Sequence, residues 1–156
     1  MNLKSGLNSL ETLLTRIGNA LQSPLLLVLR LYWGWSFAQT GWGKLMHLDR
    51  TAGYFASLHI PLPKLNALMA GGTECVGGLL LLVGLGSRLI TVPLIFVMAV
   101  AYATAEQEAA QAIFSDPDKF VTAAPFLFLL TVVLVFAFGP GKFSLDAWLK
   151  RPGAAK

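Results

Sequence analysis

The run LNALMAGGTECVGGLLLLVGLGS, Leu65–Ser87, decides the fold: it holds one charge, Glu74, in 23 residues. A helix needs ~20 mostly apolar residues to cross the hydrocarbon core. Gly71, Glu74, Gly77 and Gly78 recur at helical spacing and share one face, and small residues let helix backbones approach closely in lipid. Three further runs stand around this one. Leu89–Ala105 and Phe120–Gly141 carry no charge, and Ile17–Gly43 carries only Arg30. The pattern predicts spans near 24–43, 65–85, 89–106 and 120–139, with Pro24 as the first helical residue of the first. Composition agrees. Hydrophobic residues make up 55% of the 156 and glycine adds 15 residues, about 65% together, against ~45–50% in soluble domains. Charged residues are 13%, about half the usual share. A soluble domain of this size cannot cover so much apolar surface, and disorder needs the opposite composition. The fold class is all-α, an integral membrane four-helix transmembrane bundle.

The connections differ in kind. Gly84 to Arg88 makes a tight antiparallel hairpin, while Glu106, Glu108, Asp116 and Asp118 lie in an acidic loop. The segment Lys44–Lys64 is long for a plain connection. It predicts a short helix capped by Asp49, running through Leu58 and ended by Pro61 and Pro63. Gly139-Pro140-Gly141 stops the last span, and Ser144 starts a short tail helix with Asp146 in its first turn. Four spans place both termini on one side, with Lys4, Arg16, Arg88, Lys142, Lys150, Arg151 and Lys156; the other side has Lys44, Arg50, Lys64 and Lys119. Lys and Arg accumulate on the cytoplasmic side, so both termini are expected in the cytoplasm of an inner-membrane protein. The net charge of +4 is thereby an orientation signal rather than a nucleic-acid footprint.

Residues 1–23 precede the four-span domain of 24–147, and a short basic tail covers 148–156. In the first segment Leu3, Leu7, Leu10, Leu14, Ile17 and Leu21 fall on one helical face. The favoured reading is an amphipathic helix lying on the inner leaflet; the competing one is a coiled-coil contact with a partner.

Arg30 and Glu74 are ionisable groups inside spans, where each costs at least ~2.5–3.5 kcal/mol on insertion scales and normally finds a partner in the bundle interior. Arg30 lies ~9 Å and Glu74 ~16 Å in from the same side, so an Arg30–Glu74 pair is expected. It either fixes helix register or lines a polar pocket. Arg88 joins that cluster or faces headgroups, and spacing alone favours headgroups. Arg30, Gly34, Phe37, Gly41 and Lys44 share one face of the first span.

These two faces resemble the DoxX family of small four-span membrane proteins. The matching residues are Arg30, Gly34, Phe37, Gly41, Lys44 and Leu45, then Gly71, Glu74, Gly77, Gly78, Gly84 and Arg88, then the tail Gly139 to Asp146. The loop from Gly53-Tyr54-Phe55 to Ile60-Pro61-Leu62-Pro63 is similar as well. The resemblance covers about residues 25–147. It implies association with membrane oxidoreduction, as in small subunits of a thiosulfate:quinone oxidoreductase or companions of oxidative-stress enzymes. It also raises Arg88 to a site residue beside Arg30 and Glu74.

Other residues offer less. Cys75 points about 100° away from Glu74, and one cysteine provides no internal dithiol. His47 and His59 have no further ligands at metal-site spacing, so no metal is expected. Tyr32, Trp33, Phe37 and Tyr102 are candidates to line a pocket or stack on a quinone ring, although core packing or lipid contact explains them as well. No cofactor is expected to be covalently bound, and quinone is the candidate ligand. Two function classes follow. One is a quinone-linked subunit of an oxidoreductase, in which a carboxylate assists proton transfer. The other is a non-catalytic anchor for a soluble enzyme partner. A small transporter is weaker, because the spans carry no mid-span break. The lipid bilayer is the first partner, and homo-oligomerisation stays open.

Overall fold

The computed structural model describes residues 3–150, with side chains from Leu7 onward. Lys4, Arg151 and Lys156, which entered the charge comparison, lie outside those side chains, as does the basic tail beyond Lys150. Every element among the described residues is helical: α1 (Leu3–Met46), α2 (Leu48–Ser57), α3 (Pro63–Val83), α4 (Ser87–Thr104), α5 (Gln107–Gln111), α6 (Pro117–Thr122), α7 (Pro125–Phe138) and α8 (Leu145–Leu149).

Three expectations change. Pro24 lies inside α1, which runs unbroken for 44 residues instead of dividing into an interfacial helix and a span. Proline removes one donor, to the carbonyl four residues earlier. That carbonyl belongs to Ala20, in an exposed stretch, so the loss is tolerated. The segment predicted as a span over 120–139 also divides. Ala123 is extended (φ −62°, ψ 143°) after α6, and Pro125 opens α7, which has 14 residues, ~21 Å at 1.5 Å each. Helices α3 and α4, with 21 and 18 residues, are long and apolar enough to cross a membrane. The loop helix forms as α2, but Asp49 sits in its first turn rather than at its cap, where it accepts a hydrogen bond from Lys64 Nζ at 2.9 Å.

Helix α1 packs chiefly against α3, and the contact is backbone to backbone. A Cβ on Gly34 would stand 2.8 Å from the Leu82 nitrogen, and one on Gly78 would stand 2.5 Å from the Ala38 nitrogen. One on Gly41 would fall on the Cys75 backbone. Gly34 thus lies between Gly78 and Leu82, and Gly41 between Gly71 and Cys75, an antiparallel register. On the other face of α3, Leu94 of α4 packs close over Gly77, with its Cδ2 3.0 Å from where a Cβ would stand. Leu26, Phe37, Leu81, Leu94, Met98, Val132 and Val135 form the buried core where α1, α3, α4 and α7 meet.

Gly41→Ala is expected to force α1 from α3 and cost about 1–3 kcal/mol, the usual range for overpacking. Gly43→Ala, which faces open space, is expected to hold or slightly raise the thermal midpoint in detergent. Equal midpoints for the two variants would refute the close contact.

Candidate functional site

The polar chemistry of the bundle divides into two places. The first is the end where α3 turns into α4. Arg30 is fully buried. Its Nη1 donates to the Leu81 carbonyl at 3.4 Å and its Nη2 to the Phe143 carbonyl at 2.6 Å. Gly84, the left-handed residue that ends α3 (φ +73°), leaves room for this guanidinium: a Cβ there would strike Arg30 Nη1 and Ser144 Cβ. The tail then closes over the turn. The Asp146 amide donates to Gly84 O at 2.9 Å. The Asp146 carboxylate accepts from the Gly86 and Ser87 amides at 2.8 and 2.9 Å, supplying partners to N–H groups that open α4. Ser144 caps α8, as the sequence predicts, by accepting from the Ala147 amide. Lys142 N–H donates to the buried Ser23 hydroxyl. Burial pushes the Asp146 carboxyl up, but the Ser87 and Gly86 amides, together with the Lys150 charge, hold it below its ordinary value.

The second place is the middle of α3. Glu74 is buried and pairs with Lys44 Nζ, so the expected Arg30–Glu74 pair is replaced. The reason is directional. Helical side chains lean toward their own N-terminus. In the antiparallel register, Arg30 lies level with Gly84 and leans toward the tail. Glu74 leans toward the start of α3, and Lys44 leans back along α1 to meet it. Lys44 stood in the sequence as a loop charge, although it closes the face that begins at Arg30. That shared face was the signal for its role.

Arg88 is exposed and donates to the Ala137 carbonyl at 3.3 Å, filling an acceptor left open at the end of α7. It is not joined to Arg30 or Glu74. The aromatic candidates also separate. Phe37 and Trp33 both meet Phe128 of α7 edge-on, with centroids 4.6 and 4.8 Å away. Tyr32 is exposed, edge-on to Trp33. Tyr102, at the far end, stacks on Phe120 and donates to its carbonyl at 2.8 Å. Cys75 is partly buried and free. Among the described residues no group of three His, Cys, Asp or Glu could hold a metal ion. A polar cavity of about 540 Å³ opens past the end of α4, lined by Thr104, Glu106, Glu108 and Lys119 among others.

The DoxX family profile matches residues 25–107, which include Arg30, Lys44, Glu74 and Arg88. The chain is also 30% identical over 152 residues to Uncharacterized membrane protein Rv3486 of Mycobacterium tuberculosis, covering 90% of each. The chain belongs to the DoxX family. No solved structure matches it. As a DoxX-family membrane protein it sits in a lipid bilayer, where an unpartnered buried charge is costly. Arg30 is met there by two carbonyls, and Glu74 by an ammonium.

A carboxyl held below its unfolded value adds stability above about pH 4 and loses it as the pH falls through the folded value. The thermal midpoint of the wild type is therefore expected to drop between pH 5 and pH 3. In Asp146→Asn the midpoint is expected to start lower and to drop less over that range. An acid limb unaltered by the substitution would remove Asp146 from the tail closure.

Proposed function

We propose that this DoxX-family protein is a four-span, non-catalytic membrane scaffold that anchors an oxidoreductase partner. The observation that supports it is the commitment of both intramembrane charges to the fold. Arg30 binds the end of α3 and the tail, and Glu74 binds Lys44. On this reading α1, α3, α4 and α7 are the four spans, with α6 completing the depth that α7 lacks. Both termini lie in the cytoplasm of an inner-membrane protein. The inward pairing of Lys44 supports that orientation. It removes one basic residue from the opposite side, leaving Arg50, Lys64 and Lys119, so the asymmetry in Lys and Arg widens. The oxidoreductase association comes from the family resemblance.

A second reading has its own observation. The Glu74 side chain is 3% exposed, whereas that of Lys44 is 28% exposed. The lysine therefore connects a buried carboxylate to the outside of the bundle. A quinone docked beside Lys44 would find in this pair a group able to exchange protons with its oxygens.

Stability and quinone binding separate the two readings. Removing one member of a buried pair costs about 3–5 kcal/mol, while replacing both with apolar residues of similar volume is far milder. For the scaffold, Lys44→Met and Glu74→Leu are each expected to lower the thermal midpoint strongly and the double variant to recover most of it. Titration of purified wild type with a ubiquinone analogue is expected to show no saturable binding. Saturable binding that Glu74→Gln abolishes while the fold is retained would overturn the scaffold in favour of the quinone site.

A further inference from the structure

Helix α1 has a second face that nothing among the described residues covers. Leu7, Leu14, Leu21, Val28, Trp35 and Trp42 repeat every seven residues, and all six are exposed. A parallel series runs through Leu10 and Ile17. After a one-residue shift at Pro24 it continues through Tyr32, Gln39 and Met46, again all exposed. Neither series contains a charge. A repeat of seven sustained along a helix is the pattern of a left-handed coiled coil, and the one-residue shift in the second series offsets the ~20° per heptad by which a straight helix drifts.

We infer that α1 pairs with α1 of a second copy of this chain, as a parallel coiled coil running from the membrane into the space beyond it. Three observations support this occupant over lipid alone. First, every residue from Leu7 to Gln22 is exposed, and Leu7 to Leu21 extends ~21 Å at 1.5 Å per residue. Acyl chains cannot cover this stretch while α1 stays straight through Pro24. Second, Gln39 is exposed about level with the middle of α3 and has no partner among the described residues. Its neighbours Ser36 and Thr40 bond to carbonyls of their own helix at 2.9 and 3.0 Å. A lipid tail offers the Gln39 amide nothing, whereas the same amide from a second copy both donates and accepts. Third, a groove of about 500 Å³ between Val28, Tyr32, Trp35 and Gln39 lies on the seam, ready for a facing side chain. Two copies inserted alike hold their α1 helices parallel, so a two-fold axis along the membrane normal brings equivalent residues together. The eleven side chains of the two series present an area on the order of the ~800 Å² per partner that stable pairs bury.

The pairing rests on the reading that α1 crosses the membrane. Full-length protein in lipid nanodiscs or liposomes, in a Cys75→Ser background, tests it by oxidative cross-linking. Leu14→Cys and Val28→Cys are expected to form disulfide dimers at least tenfold faster than Thr12→Cys, on the opposite face. Gln39→Leu is expected to shift the midpoint of dimerisation, read by energy transfer on dilution into lipid, by about tenfold. Monomer at all lipid ratios, equal cross-linking of both faces, an unshifted midpoint, or a spin label at residue 14 buried in headgroups as an interfacial helix would place it, would each overturn the pairing. Labelling of Val28→Cys by a membrane-impermeant maleimide would instead overturn the span on which it rests.

Discussion

The backbone contact between α1 and α3 sets everything else in this bundle. In lipid the hydrophobic effect gives no drive to bring helices together, and association depends on close packing and internal polar contacts. Gly34, Gly41 and Gly78 remove the side chains that would hold the two helices apart, and once they touch, only one register is available. That register determines which charge meets which. Arg30 is carried to the end of α3, and Lys44 is carried to Glu74. The glycines are therefore the cause of the polar arrangement, although they make no polar contact themselves.

The tail follows from the same logic. The α3–α4 turn leaves carbonyls at the end of α3 and amides at the start of α4, which a membrane-embedded fold must satisfy from within. The residues that do so come from more than fifty positions away. Arg30 reaches the Leu81 carbonyl from α1, and Asp146 reaches the Gly86 and Ser87 amides from the tail. Because Arg30 also binds the Phe143 carbonyl, the first and last parts of the chain are tied to one turn. Residues 139–146 thus close the bundle and are part of its structure rather than an appendage.

Much of this was legible in the sequence. Hydrophobic runs gave the long helices, glycine spacing gave the α1 and α3 faces, and Ser144 gave the tail cap. What failed was reach. Matching depths alone paired Arg30 with Glu74, because depth says nothing about which way a side chain leans. In an antiparallel pair, Arg30 and Glu74 lean apart while Glu74 and Lys44 lean together. Lys44 was hidden by its place at the end of a hydrophobic run, where a lysine ordinarily marks the water boundary. Asp146 was read only as a first-turn acid of its own helix. Its bonds to α4 depend on where the tail folds back, which no local pattern encodes. The break at Ala123 was hidden for a similar reason. Phe120 and Val121 are as apolar as the residues of α7, so composition alone joined two helices that the backbone separates.

Helix α1 carries two unlike faces, and their difference is informative. The inward face is built of glycine, alanine and charge, which favour close approach and fixed register. The outward face is built of leucine, valine and tryptophan, which favour knobs packing into holes at a wider spacing. A span that only met lipid would need no periodicity on its outer side, since acyl chains accept any apolar arrangement. A surface-lying helix would need none beyond its own segment. The first series instead keeps its seven-residue repeat from Leu7 to Trp42, straight through Pro24, while the second continues after a one-residue shift. On the proposed reading, in which α1 leaves the bilayer near Pro24, a repeat that continues through that point fits a second copy of the helix better than acyl chains.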